Sequence, residues 1–181
     1  MAKKNPQTRQ VKKKAETKLP PGVKLLHSLE PDNWLSDSLV FDPSGDLLAN
    51  TDDTNIKLWD PFSGKLISSF EGDKQGVYSV AFNPHDGTLA SGGIDQTVKI
   101  WEPQTGKLLS TLKKQGGTVS SVAFHPQGTT LASGLQNGTI KLWDLRNRKL
   151  IRTLQAYANE VLTIAFDPHG HLLASGGVDG P

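Results

Sequence analysis

Five histidines, two Gly-Lys pairs and 18 carboxylates are the side chains to test for chemistry in this 181-residue sequence. The histidines are His27, His85, His125, His169 and His171. His169 and His171 stand two apart in DPHGH, which can form one edge of a metal site. A zinc centre needs further ligands at fixed geometry, and no carboxylate or third ligand stands at such spacing. These histidines therefore read as polar residues in turns along one rim. Gly64-Lys65 and Gly106-Lys107 resemble the end of a phosphate loop. Neither is followed by Ser or Thr, and neither has Gly five residues earlier, as that loop requires. They read as turns into a strand. The serines lack a G-x-S-x-G setting. The carboxylates mostly recur at a fixed period, which is a structural pattern and no acid/base pair. With no Cys in the chain, thiolate metal sites, Cys nucleophiles and disulfides are excluded. The expectation is a non-enzyme with no cofactor and no bound metal.

Composition sets the class. Hydrophobic residues make up 35% of the chain, and 18 Gly and 11 Pro accompany them. No apolar run approaches the roughly 18 residues of a membrane-spanning helix. The basic start, MAKKNPQTRQVKKK, has no apolar region after it and is no secretory signal. A cytoplasmic protein is expected. The net charge of +2 hides an uneven distribution: residues 1–24 carry +7 and the remainder −5. Residues 1–21 lack the large apolar side chains that would offset their ordering entropy. They read as a disordered basic tail ending near Pro20-Pro21-Gly22.

The rest of the chain repeats. Trp59, Trp101 and Trp143 lie 42 residues apart, closing NIKLW, TVKIW and TIKLW. Phe-x-Pro recurs at Phe41, Phe82, Phe124 and Phe166, with spacings of 41, 42 and 42. Leu-Ala recurs at Leu48, Leu89, Leu131 and Leu173. Lys-Leu-aliphatic recurs at Lys24, Lys65, Lys107 and Lys149. A fixed period of this length marks a repeat architecture. Each unit reads as four short strands, exemplified by VYSVAF, TLASGG, TVKIW and KLLSTL, with Gly- and Asx-rich turns between them. Helical periodicity is absent.

A unit of about 42 residues whose third strand ends in Trp-Asp resembles the WD40 repeat; LASGGIDQTVKIW and LASGLQNGTIKLWD carry the likeness. The regularity of the repeats resembles that of the WD arrays of bacterial multidomain proteins. It implies an all-β, partial β-propeller over residues 22–181, in which each repeat is one blade. Residues 22–29 form a clasp-like outer strand, 30–70 blade 1, 71–112 blade 2 and 113–154 blade 3. Residues 155–181 form an incomplete blade 4. The resemblance assigns structural roles to Asp53, Asp95 and Asp179 in the turn between strands 2 and 3. It assigns others to Ser91, Ser133 and Ser175 on strand 2 and to Trp59, Trp101 and Trp143 on strand 3.

The chain departs from the family twice. The family's His before strand 1, which bonds the turn Asp, is replaced by Asp32, Asp73, Gln115 and Tyr157. Asn50 and Asn137 replace a Ser and an Asp. The blades then either lose a buried network and stability, or satisfy the same turn with the new side chains. The family commonly has seven blades, whereas three full repeats and part of a fourth stand here. A fragment of a longer array, pairing with another copy or another array, and a stable open half-ring are the three explanations. Open edges and blade faces invite self-association.

WD40 proteins act as platforms for proteins or peptides. The resemblance places the partner-binding rim at the 2–3 turns and the segments leading into strand 1. That rim carries Trp34, Asp52, Tyr78, Ile94, Gln136, Tyr157, Glu160 and Val178, with Trp34 and Tyr157 as aromatic anchors. A protein-interaction scaffold or adaptor, or a module of a larger signalling protein, is the expected function. The alternative is a nucleic-acid or ribosome-associated protein that binds through the basic tail.

Overall fold

The computed structural model describes residues 26–27, 36–113 and 115–179. The basic tail, Trp34, Asp32 and most of the clasp segment lie outside the described residues. Fourteen strands and no helix make up the described fold. Blade 1 contains β1 (Leu39–Phe41), β2 (Leu48–Asp52), β3 (Asn55–Trp59) and β4 (Leu66–Glu71). Blade 2 contains β5 (Val77–Phe82), β6 (Leu89–Gly93), β7 (Val98–Glu102) and β8 (Lys107–Leu112). Blade 3 contains β9 (Val119–Phe124), β10 (Thr130–Leu135), β11 (Thr139–Asp144) and β12 (Lys149–Gln155). Among the described residues blade 4 contains β13 (Glu160–Phe166) and β14 (Leu173–Val178). Each sheet is antiparallel and follows chain order. The all-β partial propeller expected from the sequence is thus the fold.

Side-chain alternation explains the stacking. Successive residues of a strand point to opposite faces, so Leu89 and Ala90 serve different neighbours. Ala49, Ile56 and Leu58 of blade 1 pack with Val80, Phe82, Leu89 and Trp101 of blade 2. Ala90, Val98 and Ile100 of blade 2 pack in the same way with Val122, Phe124, Leu131 and Trp143 of blade 3. Ala132 and Ile140 meet Val161 and Ile164 of blade 4. Trp101 and Trp143 therefore face the preceding blade. Small residues permit the approach: a Cβ at Gly134 would lie 2.6 Å from Val161 Cγ1. A register shift precedes each tryptophan, at Leu58/Trp59, Ile100/Trp101 and Leu142/Trp143. Such bulges increase local twist, and here they recur with the repeat.

Polar pegs join the inner strands. Ser38 Oγ accepts from Val80 N at 3.1 Å, Ser79 Oγ from Val122 N at 3.1 Å, and Ser121 Oγ from Ile164 N at 3.2 Å. A hydroxyl on or just before each of these strands therefore holds the next strand 1, and between β9 and β13 Ser120, which donates to Val161 O, adds a second. Removing a buried acceptor leaves its donor unsatisfied, at about 1–3 kcal/mol. Ser121→Ala is expected to lower unfolding free energy by that amount in urea titration. Ser44→Ala, on an exposed turn, is expected to cost less.

Among the described residues the two end faces of the row are partly exposed. Leu39 and Phe41 of blade 1, equivalent to the buried Val80 and Phe82, are 63% and 55% exposed. At the far end, Leu172 and Val178 are exposed. His27 is one of two described clasp residues. Its Nε2 lies 2.7 Å from Phe62 O, and a Cβ at Gly64 would lie 2.7 Å from its ring. A Cβ at Gly106 would similarly meet Phe70 of the preceding outer strand, at 2.8 Å.

Candidate functional site

Antiparallel strands put the 2–3 and 4–1 turns at one end of every blade. That end carries the rim expected from the sequence. The two kinds of turn are tied together. Ile94 N donates to Gly76 O at 3.1 Å, and Gln136 N donates to Thr118 O at 3.0 Å. A Cβ at Gly76 would lie 3.2 Å from Ile94 Cδ1, so Ile94 lies across the lead into β5. Tyr78 is half-buried and Gln136 exposed. Glu160 pairs with Val178 at the open end of the β13–β14 ladder, so these two share one edge. Tyr157 is half-buried. Its hydroxyl donates to Ser175 O at 2.7 Å, and its ring covers Gly177.

Asp52 is a correction. It is 2% exposed, and its carboxylate pairs with Lys57 Nζ at 2.6 Å. It belongs to the blade interior and not to the rim. The reason is a shorter turn. Thr51 pairs with Ile56 in blade 1, where the equivalent Gly92 pairs with Val98 in blade 2. Four residues separate the first pair and five the second. The missing residue moves the paired carboxylate to Asp52. The assignment of that structural role to Asp53 is corrected with it: Asp53 is exposed and holds a φ of 56°.

Around the strand-2 and strand-3 positions each blade solves the polar problem differently. In blade 1 Trp59 Nε1 donates to Asn50 Oδ1 at 2.7 Å. In blade 2 Trp101 Nε1 donates to Ser91 Oγ at 2.8 Å. Asp73, at the family's His position, is buried and accepts from Asp95 N at 2.9 Å and Gln75 N at 2.8 Å. In blade 3 Gln115 is fully buried. It donates to Leu112 O at 3.1 Å and accepts from Ser133 Oγ at 2.8 Å. Trp143 Nε1 is left buried without a partner. In blade 4 Asp179 accepts from Ala158 N at 2.8 Å. Asp73 thus bonds the 2–3 turn in place of histidine, whereas Gln115 and Tyr157 reach the strand-2 serines Ser133 and Ser175.

Three lysines were missed in the sequence. Lys57, Lys99 and Lys141 stand two residues before each tryptophan at 42-residue intervals, and that periodicity was the available signal. Lys99 Nζ pairs with Asp95 at 2.5 Å and donates to Gly72 O at 2.8 Å. Burial pushes the Lys141 ammonium below its ordinary value. In blade 3 Asn137 takes the turn-capping role of Asp95. It accepts from Thr139 Oγ1 at 2.6 Å, as Asp95 does from Thr97 Oγ1 at 2.7 Å.

Burial pushes the Asp95 carboxyl up, but hydrogen bonds from Lys99 and Thr97 outweigh it, so the group lies below the usual carboxylate range. A carboxyl depressed in the folded state contributes stability above its unfolded pKa, near pH 4. That stability is lost as the pH falls through the folded value. Asp95→Asn is therefore expected to flatten the fall of Tm with pH below about pH 4, read by circular dichroism. The same fall in wild type and variant would exclude this contribution.

Among the described residues no three metal-ligating side chains gather. The rings of His169 and His171 are 6.1 Å apart. No helix among the described residues is long and apolar enough to cross a membrane.

Stacked four-stranded antiparallel blades with one strand-3 tryptophan per full repeat define a β-propeller-type repeat protein. The family model described as "WD domain, G-beta repeat" matches residues 24–60 and 64–102. That described as "Vps8 beta-propeller" matches residues 104–176. The chain thus carries WD40 repeats over residues 24–102, with a β-propeller match over the residues that follow. It is similar to the Set1 complex component swd2 of Schizosaccharomyces pombe, 35% identical over 74 residues. That match covers 36% of this chain and 21% of the relative. It is also similar to the WD40 repeat-containing protein HOS15 of Arabidopsis thaliana, 45% identical over 38 residues. That match covers 21% of this chain and 6% of the relative. The chain spans about a fifth of the length of the first relative and less of the second.

Proposed function

We propose that this chain is a protein-interaction scaffold that holds a protein or peptide partner on the end of the blade row carrying the 2–3 turns. The observation that supports this most is the tying of those turns to the 4–1 turns, at Ile94–Gly76 and Gln136–Thr118. Binding residues are commonly loop residues fixed by a rigid scaffold. Tyr78, Ile94, Gln136, Tyr157, Glu160 and Val178 are the contact residues in this reading, and Asp52 is not. The relative named as a component of the Set1 complex is, by its name, part of an assembly, which favours the same class of role.

The test is quantitative co-purification with wild type, an Ile94→Asp/Gln136→Ala variant, and a chain lacking residues 1–20. Circular dichroism verifies folding of each. The expected result is a partner lost with the rim variant and retained without the tail and in high salt. Loss on tail deletion, with steep salt dependence, would instead favour nucleic-acid binding through the tail.

Self-association is a second reading, favoured by the exposure of Leu39 and Phe41. Phe41→Glu is then expected to abolish any concentration-dependent mass seen by light scattering. A wild-type monomer at all concentrations would contradict it.

A further inference from the structure

The end of the row opposite the rim carries a cleft of about 930 Å³ between blades 2 and 3. It lies among the 1–2 turns of both blades, β8 and the 3–4 turn of blade 3. Leu109, Leu112 and Ile151 supply an apolar wall, and Arg146 and Arg148 line the same space.

The arginines break the repeat. The 3–4 turns read Pro61-Phe62-Ser63-Gly64 in blade 1 and Pro103-Gln104-Thr105-Gly106 in blade 2. Blade 3 has Leu145-Arg146-Asn147-Arg148 in their place. The turn does not need arginine. Asp144 caps it by accepting from Arg146 N at 2.8 Å and Asn147 N at 3.2 Å, as Asp60 does in blade 1. The last turn position is left-handed in all three blades, with φ of 68° at Gly64, 67° at Gly106 and 54° at Arg148. Glycine enters that region freely, and a residue with a Cβ does so at a cost. Sparsely populated backbone held at a surface cleft points to function.

Neither guanidinium makes a hydrogen bond or ion pair within the described residues. The two acidic side chains at the cleft are already engaged. Asp144 caps the turn and accepts from the Asn147 amide at 2.8 Å, with the Arg146 charge nearby. Asp86 accepts from Thr88 N at 3.0 Å and Thr88 Oγ1 at 2.7 Å. Ser110, which also lines the cleft, has a buried hydroxyl with no partner. The cleft therefore offers an apolar wall and two guanidiniums that have no hydrogen-bond or ion-pair partner among the described residues.

We propose that this cleft binds an extended acidic peptide that alternates aliphatic and carboxylate side chains. An aliphatic side chain packs on Leu109, Leu112 and Ile151. A carboxylate takes the fork geometry of Arg146 or Arg148. This surface is separate from the rim, and its failure would leave the rim reading standing.

The test uses the 181-residue chain and a fluorescein-labelled, acetylated peptide Ala-Leu-Glu-Leu-Glu-Ala, read by anisotropy. A peptide with Gln for Glu is the control, and single-stranded DNA of matched charge is a competitor. The acidic peptide is expected to bind about tenfold or more tightly than the control, the scale of a charge-assisted contact. Arg146→Gln and Arg148→Gly are each expected to remove most of that preference. Arg148→Gly restores the residue of the sister blades, so its Tm is expected to rise while binding falls. That opposition separates a binding role from a structural one. Equal binding of both peptides, or undiminished binding in both variants, would overturn the proposal. Tighter binding of DNA, lost in the same variants, would also overturn it in favour of a polyanion site.

Discussion

Trp101→Ala is expected to lower unfolding free energy by about 3–5 kcal/mol, the range for deleting a buried aromatic. Trp59→Ala, at the same position of the preceding repeat, is expected to cost less than half as much. Trp101 is 6% exposed and its ring lies 5.2 Å from Phe70 at 45°. It packs with Ala49, Ile56 and Leu58 of blade 1. Trp59 occupies the equivalent face of blade 1 and is only half-buried, beside the exposed Leu39 and Phe41. Both indoles make a similar hydrogen bond, to Ser91 and Asn50, so the difference isolates the covering blade. Urea unfolding of both variants measures it. Equal losses would mean that the face of Trp59 is covered in solution. The tryptophans also differ in polarity: Trp143→Phe removes an unpartnered buried N–H and is expected to cost less than Trp101→Phe.

Lys57→Met is the second large effect. Lys57 and Asp52 form a 2.6 Å ion pair with side chains 6% and 2% exposed. Breaking a buried pair by removing one partner costs about 3–5 kcal/mol, because the remaining charge is stranded. A whole domain is stable by only about 5–15 kcal/mol, so Lys57→Met threatens the folding of blade 1. Asp52 is especially vulnerable because its Oδ1 already lacks a partner. The double variant Lys57→Met/Asp52→Leu is expected to recover most of the loss, since apolar replacement of a buried pair is often neutral. Thermal unfolding of the two variants is the measurement. A double variant no more stable than Lys57→Met would show that packing, and not charge, sets the effect.

Much of this architecture was readable from spacing. The tryptophans at 42-residue intervals and the alternation within TVKIW marked the strands and the face each presents. The substitution of Asp73, Gln115 and Tyr157 for histidine was visible too. Which acceptor or donor each would find was not, because that depends on distances between turns. The Asp52 and Asp53 roles were exchanged through one missing turn residue. The spacing of 41 between Phe41 and Phe82, against 42 between Trp59 and Trp101, carried that signal. The strand-1 pegs and the 2–3 blade cleft join residues from different repeats. A reading that aligns repeats with one another does not pair residues across them. Arg146 and Arg148 were legible only as departures from Gly64 and Gly106, and their meaning came from the cleft they line.

Native-state hydrogen exchange across the chain tests the central claim, that stability comes from each blade being covered by its neighbours. Local opening energies follow buried contact and protected hydrogen bonds, and repeat arrays are stabilised through nearest-neighbour interfaces. Protection is expected to peak in β5 to β7 and β9 to β11, the inner strands of the two blades that have a neighbour on each side. It is expected to fall toward β1 at one end and toward β13 and β14 at the other. Equal protection from β1 to β14, or a maximum in β13 and β14, would contradict the account.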